Sequence, residues 1–554
     1  MPLAEVRAGM HCTGLSVIRG TEISSFDVEM LDVLAREAGL SGPRILVRAS
    51  GPAVDESGIG QGFSGSPILC DGRNAGAISE GLGDYGNHVV LATPIEEILS
   101  DRPAPVTGAR RRPRLARAAR PLTGPLTVSG LSGRTRELFT RAADRAGLTL
   151  LAAPAAPAGG YAPVDLRPGA AAAVTLSTGD IAVGGVGTVA YRDGDSVWAF
   201  GHPLEALGRR SLFLQDSYVY GVVANPLGIP PAVSYKLATS AGHVLGSVTS
   251  DTVSSVAGII GPEPPSIPLN VVARGEGGRH VALESRLADE RGLGYGAGLS
   301  LITPLAASQA LEGLTRAVAP VTFSMCMRFR VRALRRPIGF CNPYFALSPA
   351  MSDLLRAGEL VDSFDLAPLH IDRADLRLRV RRGVTEDVLI DADAPRRVRP
   401  GRRIRVRLVV QRRHGARRRI TGSLRIPKSL RPGRYTITLA GQGTGASPLE
   451  ELRGEFETIV IEIFSEEDQE PEPRSPRELG LALRRLHRPL GIEARLKRHR
   501  LALVVSSNEV SYEGSVPLPL RVVRLRPRRG ASEPRRATAA SSATGSRSGG
   551  SARG

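Results

Sequence analysis

Lysine is almost missing from this chain of 554 residues, although the chain is strongly basic. Only Lys236, Lys428 and Lys497 are lysines among the 73 basic residues, so arginine supplies nearly all of the net charge of +19. Such a charge raises the question of nucleic-acid binding. Aromatic residues make up only 4% of the chain and do not alternate with basic ones, as a stacking surface for single strands requires. We therefore expect no specific nucleic-acid partner and interpret the basic run at 396–420 as solvated β-hairpins.

Cysteine is also scarce, and the only four are Cys12, Cys70, Cys326 and Cys341. No CxxC pair occurs, so we expect no zinc site, and no other pattern predicts a metal or a cofactor. Cys326 and Cys341 flank an arginine-rich segment and are candidates for a disulfide across a hairpin. Cys12 and Cys70 lie in one predicted domain and are either a second disulfide or two buried thiols. The alternative is that all four cysteines stay reduced.

Long apolar runs are absent as well. No stretch reaches the roughly 18 apolar residues that a transmembrane helix needs. The residues after Met1 lead directly into a predicted strand, without the pattern of a signal peptide. If Met1 is the true start, we expect a cytoplasmic protein. If an export signal precedes this start, we expect the protein in the cell envelope or outside the cell.

Glycine and proline, in contrast, are abundant at 63 and 41 residues, and they favour short strands joined by tight turns. The length exceeds one hydrophobic core. We predict an all-β fold with two small β-barrels at 1–102 and 166–319, separated by an Arg/Pro/Ala-rich connector at 103–165 that contains one helix near 134–146. A mixed connecting region at 320–365, a β-sandwich at 366–465, a linker with a helix and terminal strands at 466–526, and a disordered basic tail at 527–554 follow.

Both predicted barrels end in the same short pattern. An apolar strand leads into Thr-Pro and then a helix, at Thr93-Pro94 and again at Thr303-Pro304. Thr93, Pro94 and Glu96 match a capping box, so a short helix should begin there with Thr93 as its N-cap. The repeated ending suggests that the two barrels are related units.

A glycine-bounded turn carries the strongest candidate for chemistry. Residues 60–68 read GQGFSGSPI and place Ser64 in a turn that enters a strand. The glycines permit torsions that direct the N–H groups of Gly62 and Ser64 at one point, where a carbonyl oxygen becomes an oxyanion. The segment also fits the dinucleotide pattern GxGxxG, but a strand follows it where that motif needs a helix. The GxSxG pattern of α/β-hydrolases fails because residue 66 is serine.

A nucleophilic serine needs a base, and His202 has the most suggestive setting among the nine histidines. An apolar strand at 197–200 ends in Gly-His-Pro, which should place the imidazole at a strand end that faces a cleft. His88 is the main rival because it is closer in sequence, and His11 and His243 are weaker candidates. A serine and a histidine on separate barrels that meet at their interface follow the logic of a two-barrel protease.

These segments resemble the SpoIVB-like serine peptidases. The similar segments are VRAGM at 6–10 with GTEISSFDVE at 20–29, GFSGSPI at 62–68, which is close to the family's GMSGSPI, and 188–202, which ends in AFGH. The family comprises endopeptidases of the chymotrypsin-like superfamily that act outside the cytoplasm on a membrane-associated partner during sporulation signalling. The resemblance implies barrels of the chymotrypsin-like type, Ser64 as nucleophile and His202 as general base.

The chain departs from that family in three respects. Its serine half precedes its histidine half, so the two halves are permuted relative to the sporulation peptidase. The family's acidic residue lies just upstream of the serine, where this chain has Ser50-Gly51, and Asp55 and Asp216 are the substitutes. No segment can be assigned to the PDZ domain of the sporulation enzyme.

We therefore expect a serine endopeptidase of narrow specificity that forms an acyl-enzyme on Ser64, with an oxyanion hole at Gly62 and Ser64. Its expected partner is a protein substrate, which the resemblance implies is associated with a membrane. Without a well-placed carboxylate, we expect His202 to risk the wrong tautomer, which slows catalysis. The alternative is a non-catalytic protease-like protein that docks a partner at the cell envelope, and the missing acid favours that alternative.

Overall fold

Strands dominate the computed structural model, and the predicted all-β fold with two barrels and a sandwich is confirmed. The structure describes residues 1–34, 42–81, 88–100, 126–145, 150–154, 160–224, 234–315, 321–345, 347–413, 415–442, 473–487, 490–496, 499–507 and 509–523. The predicted tail at 527–554 lies outside these residues, as do 103–125 of the predicted connector and 466–472 of the predicted linker. No helix in the described ranges combines the length and the apolar character that crossing a membrane takes.

The first barrel closes with six strands in the order β1-β2-β3-β6-β5-β4, and β4 returns to β1. The strands are β1 His11–Arg19, β2 Glu22–Leu34, β3 Arg44–Ser50, β4 Pro67–Cys70, β5 Arg73–Gly81 and β6 Val89–Pro94, followed by helix α1 Ile95–Leu99. Phe26, Val28 and Met30 of β2 are buried in alternation with more exposed residues, so they fill the barrel. A disulfide between Cys12 and Cys70 joins β1 to β4.

The segment between the barrels forms β7 Leu126–Ser129, α2 Gly133–Arg145 and β8 Leu150–Ala153. The second barrel consists of β9 Ala171–Gly179, β10 Ala182–Asp193, β11 Ser196–Ala199, β12 Gly208–Asp216, β15 Val244–Asp251 and β16 Val256–Ile260. Hydrogen bonding runs β9-β12-β15-β16-β11-β10, and a pairing of β10 with β9 closes the ring. Taken in chain order, both barrels therefore have the strand order first, second, third, sixth, fifth and fourth. The hairpin β13 Val219–Val223 and β14 Tyr235–Ala238 projects from the second barrel and contacts the first.

The second barrel extends into a 13-stranded sheet. Besides the six barrel strands, this sheet contains β7 and β8 and also β17 Ser266–Arg274, β18 His280–Ala288, β19 Val321–Val331, β20 Ile338–Tyr344 and β21 Ile371–Arg382. Helices α3 Leu299–Thr315 and α4 Ser348–Asp362 bury their apolar sides against this sheet in the largest hydrophobic core of the described residues. A disulfide between Cys326 and Cys341 joins β19 to β20, so both candidate cysteine pairs are bonded. The predicted connecting region at 320–365 is thus part of a continuous sheet.

The β-sandwich packs a four-stranded sheet, β25-β24-β22-β29, on a five-stranded one, β23-β30-β26-β27-β28. Its strands are β22 Thr385–Asp393, β23 Arg397–Val398, β24 Arg403–Arg412, β25 Arg417–Arg425, β26 Gly433–Gly441, β27 Gly491–Leu496, β28 His499–Ser506, β29 Val510–Glu513 and β30 Ser515–Val522, and α5 Pro476–Arg485 packs on β20. The sandwich strands thus run from β22 to β30, whereas the prediction was 366–465. Strand β21, which lies inside the predicted bounds, pairs with the 13-stranded sheet, and the predicted terminal strands complete the sandwich core.

The predicted Thr-Pro endings also differ from the structure. Helix α1 begins with Pro94 as its N-cap and without a side-chain cap, because the Thr93 hydroxyl donates to the carbonyl of Gly201 at 2.6 Å. The second ending is not a strand, since residues 299–302 already belong to α3 and Pro304 lies inside that helix. The relation between the two barrels therefore lies in their shared strand order.

Candidate active site

Ser64 and His202 occupy equivalent connections in the two barrels. Ser64 lies between β3 and β4, the third and fourth strands of the first barrel. His202 lies between β11 and β12, the third and fourth strands of the second barrel. Both residues are half-buried. The connection between the third and fourth strands thus carries a hydroxyl in the first barrel and an imidazole in the second.

Thr188 of β10 links the two turns. Its N–H donates to the carbonyl of Ser64 at 2.8 Å, and its own carbonyl accepts from the N–H of Phe200 at 3.2 Å. Gly65 lies so close to this strand that a Cβ would stand 2.6 Å from Phe200 N and overlap the Thr188 carbonyl. Gly65 also has φ of +91°, which side-chain-bearing residues rarely adopt. The Ser64 turn and the His202 turn therefore meet at the interface of the barrels.

The Ser64 turn leaves two of its N–H groups free. Four amides of residues 61–66 are paired, namely Gln61 with Ser234 O, Phe63 with Gly60 O, Gly65 with Ile78 O and Ser66 with Phe63 O. Within the described part of the chain, the N–H groups of Gly62 and Ser64 donate to no acceptor. Gly62 has φ of +89°, so the peptide planes on either side of it depend on glycine. Two free amides beside a serine hydroxyl are what an oxyanion-binding site needs.

The carbonyl groups of the same turn are held from the opposite side. Thr188 Oγ1 donates to Gly62 O at 3.0 Å, and Ser66 Oγ donates to Phe63 O at 2.6 Å. The carbonyl of residue i and the N–H of residue i+1 point in opposite directions across a trans peptide. Fixing the carbonyl of Phe63 therefore also fixes the direction of the free Ser64 N–H. The Gly62 N–H is fixed in the same way, because the carbonyl of Gln61 accepts the backbone N–H of Lys236 at 2.9 Å.

The His202 turn has strained backbone. Phe200 has φ of +70°, one of only three positive values among non-glycine residues in the described ranges, and Gly201 follows with +67°. A hydrogen bond of 2.9 Å from Gly201 N to Ala199 O closes a γ-turn around Phe200, in the rarely used positive-φ form. The Thr93 hydroxyl of the first barrel holds Gly201 O. Strain of this kind costs about 1–3 kcal/mol and is retained mainly where function requires the geometry.

The imidazole of His202 is held in one tautomer. Its Nδ1 lies 2.7 Å from the carbonyl oxygen of Pro203. Since a carbonyl only accepts, Nδ1 carries the hydrogen and Nε2 keeps its lone pair. Burial lowers the pKa of His202, against the opposing effects of the Pro203 carbonyl and of the Glu80 and Asp251 carboxylates. The ring is therefore neutral near pH 7 and presents Nε2 as a base.

The two side chains are not hydrogen-bonded to each other. In the described residues, no hydrogen bond joins Ser64 Oγ to the ring of His202. Contacts between a catalytic base and its nucleophile are often long in ligand-free enzymes and shorten when substrate binds. The structure brings the two turns together and leaves both reactive atoms unengaged.

Neither predicted carboxylate reaches His202. Asp55 is exposed, and its Oδ1 accepts the N–H of Gly51 at 2.7 Å within its own turn. Asp216 is fully buried at the far end of β12, roughly 25 Å along the strand from the end that follows His202. There it accepts from the Tyr161 hydroxyl at 2.8 Å and binds His243 Nδ1 at 2.9 Å. Asp55 thus stabilises its own turn, whereas Asp216 joins Tyr161 and His243 to the end of β12.

The buried carboxylate beside the His202 turn is Asp251, at the end of β15. Its two oxygens accept the N–H groups of Leu204 and Glu205, each at 2.8 Å. Arg210, which also pairs with Glu290, lies 3.5 Å from the same carboxylate. Asp251 therefore holds the backbone that follows His202, while the Pro203 carbonyl orients the ring itself.

The rival histidines have other contacts. His88 Nδ1 lies 3.1 Å from the carbonyl of Ala49, within the first barrel. His11 is exposed at the start of β1, and His243 is held by Asp216. Within the described ranges, none of the three is hydrogen-bonded to the Ser64 turn.

Protein-family profiles, curated proteins and solved structures all gave no match to this chain. The function of the site therefore has to be argued from its geometry.

Sequence reasoning missed Lys236, Thr188 and Asp251. Lys236 lies on β14 behind the Ser64 turn, and its Nζ donates to Ser16 Oγ at 2.6 Å and to Thr188 Oγ1 at 3.1 Å. Ser16 and Lys236 are both buried, so this serine–lysine contact is closed to a substrate. The rarity of lysine was the one signal in the sequence that singled out Lys236.

Proposed function

We propose that this chain is a serine endopeptidase of the SpoIVB-like kind, with Ser64 as nucleophile and His202 as general base. The observation that carries the proposal is the pair of free N–H groups at Gly62 and Ser64, in a turn that packs against the turn of His202. An ordinary structural turn pairs its amides or exposes them to water. This turn holds two free amides next to a hydroxyl and packs against the turn that carries His202, which supports the proposal.

The proposed reaction proceeds through an acyl-enzyme. Ser64 Oγ bonds to the carbonyl carbon of the scissile peptide and gives its proton to His202 Nε2, while the N–H groups of Gly62 and Ser64 bind the oxyanion. The carbon–nitrogen bond then breaks, and the leaving amine takes the proton from His202. Water attacks the acyl-enzyme, gives a proton to His202, and the proton returns to Ser64 Oγ as the acid product leaves.

The proposed enzyme works without a carboxylate on the histidine ring. In a serine triad the carboxylate selects the tautomer and stabilises the imidazolium. Here the Pro203 carbonyl selects the same tautomer but offers no full negative charge, so we propose slow turnover and narrow specificity. Two disulfides support a location outside the reducing cytoplasm, and the proposed substrate is a protein at the cell envelope.

A fluorophosphonate probe tests the proposal on the full chain. The probe should label the wild-type protein at Ser64, and peptide mapping should locate the label. Ser64→Ala should abolish labelling and His202→Ala should slow it strongly. Ser25→Ala, at an exposed serine of β2, and His88→Ala are the matched controls and should label at the wild-type rate.

Labelling that persists in Ser64→Ala would show that another group reacts. A wild-type chain that is never labelled would instead favour the protease-like binding protein, whose site holds a partner without cleaving it.

A further inference from the structure

Lys236 is a buried base without a carboxylate partner among the described residues. The whole residue is only 4% exposed. Its Nζ contacts the hydroxyls of Ser16 and Thr188 and lies 4.6 Å from the centroid of the Phe63 ring. Its backbone N–H donates to the carbonyl of Gln61 at 2.9 Å, so β14 runs directly alongside the Ser64 turn. Burying a cation in such a place is costly unless its hydrogens are used.

The hydrogen bonds behind the turn have only one consistent direction. Ser66 gives its single hydrogen to Phe63 O, so it must accept from Ser16 at 2.9 Å. Ser16 therefore has no hydrogen left for Lys236 and must accept from Nζ. Thr188 gives its hydrogen to Gly62 O and likewise must accept from Nζ. Both chains start at Lys236 and end on the carbonyls of the Ser64 turn.

A lysine meets this requirement better than the residues that the chain otherwise uses. An ammonium has three hydrogens and no acceptor, which matches two hydroxyls and one aromatic ring face. A guanidinium is larger, planar and always charged, so it fits neither the space nor the absence of a carboxylate. The chain has a lysine here although nearly all of its basic residues are arginines. Burial also lowers the pKa of Lys236 to about 7, so loss of the third hydrogen leaves the two that the hydroxyls need.

We infer that Lys236 is a positioning residue for the oxyanion-binding amides: its Nζ acts on the Ser64 N–H through Ser16 and Ser66, and its backbone N–H acts on the Gly62 N–H through the carbonyl of Gln61. This inference rests on the proposed peptidase function of the same site. Lys236 touches neither the substrate nor Ser64 Oγ. The hydrogen bonds of its Nζ hold the carbonyls of Gly62 and Phe63 through the intervening hydroxyls, and the Phe63 carbonyl shares its peptide plane with the free Ser64 N–H.

Two substitutions separate donation from bulk. Lys236→Met keeps the length and removes every donor, while Lys236→Gln keeps two N–H donors without charge. Lys428→Met removes an exposed lysine from the sandwich and is the control. The rate of fluorophosphonate labelling at Ser64 reports the oxyanion site. Hydrogen–deuterium exchange of a peptide over residues 61–66 reports the turn without reference to catalysis.

We expect Lys236→Met to slow labelling about 100-fold, since small displacements of an oxyanion donor have effects of that size. Lys236→Gln should lose less, and Lys428→Met nothing. The amides of Gly65 and Ser66 should exchange faster in Lys236→Met. Labelling of Lys236→Met at the wild-type rate would overturn the inference. If the wild-type chain is not labelled at all, the peptidase proposal fails, and unchanged exchange in Lys236→Met would then overturn the positioning role separately.

Discussion

Replacing Gly65 by alanine tests the close approach of the two barrels at the site. The added Cβ would stand 2.6 Å from Phe200 N and overlap the Thr188 carbonyl, both of which are backbone atoms that cannot rotate away. The positive φ contributes about 1–2 kcal/mol of strain. Forcing the backbone of β10 and the His202 turn apart adds about 1–3 kcal/mol. We therefore expect Gly65→Ala to destabilise the protein by about 2–5 kcal/mol.

Gly72→Ala is the matched control for the backbone strain. Gly72 lies in the turn between β4 and β5 with φ of +77°, and a Cβ there would meet nothing within 4 Å. Its substitution should cost only the conformational part, about 1–2 kcal/mol. The difference between the two variants isolates the contact between the barrels.

Trp198 provides the assay because it is the only tryptophan and packs between the barrels, against Ala77, Ile95 and Ile98. Its fluorescence during urea unfolding should show a midpoint about 1–2 M lower for Gly65→Ala than for Gly72→Ala, given typical urea dependences. Equal midpoints for the two variants would refute the described approach of the turns. Gly65→Ala should also lose fluorophosphonate labelling, whereas Gly72→Ala should keep it.

Three further predictions concern charged groups. Because burial lowers the pKa of His202 below its usual 6.5, labelling of Ser64 should increase with pH with its midpoint below pH 6.5, and a midpoint above pH 6.5 would contradict this. The pKa of Lys236 is lowered from 10.5 to about 7, so between these pH values the unfolded chain binds more protons than the folded one, and stability should rise with pH. Lys236→Met should remove that rise and increase the free energy of unfolding by up to about 5 kcal/mol at pH 6, measured by urea unfolding at several pH values. Asp251→Asn should slow labelling about 10-fold, because asparagine has a single side-chain oxygen and cannot accept both backbone N–H groups after His202 in the way that the carboxylate does. Asp216→Asn, at the far end of β12, should label like the wild type, and equal rates for the two variants would argue against a role for Asp251.

Local patterns predicted the parts of the structure that depend on neighbouring residues. The alternation at 26–30 predicted a strand with one buried side, and the glycines around Ser64 predicted a turn of special torsions. Both inferences concern residues a few positions apart, for which period and torsional preference are informative. The helix at 134–146 was predicted almost to its ends for the same reason, since α2 covers Gly133–Arg145.

Contacts between distant residues were not predictable in this way. Thr93 has the sequence of an N-cap, yet its hydroxyl binds Gly201, 108 positions away. Thr188 lies 126 positions from Gly62, whose carbonyl it holds, and Lys236 lies still further along the chain. Asp216 looked suitable as an acidic partner by residue type alone, but β12 carries it to the opposite end of the barrel. Only the pairing of the strands decides which of these side chains come together.

The order of the two barrels along the chain has a simple geometric consequence. The two barrels have the same strand order, and each contributes the connection between its third and fourth strands to their interface. The order in which the two barrels are synthesised does not change which two connections meet at their interface. A circularly permuted chain that starts with the histidine-bearing barrel should therefore form the same site, because the contact between the two connections does not depend on the order of the barrels in the chain.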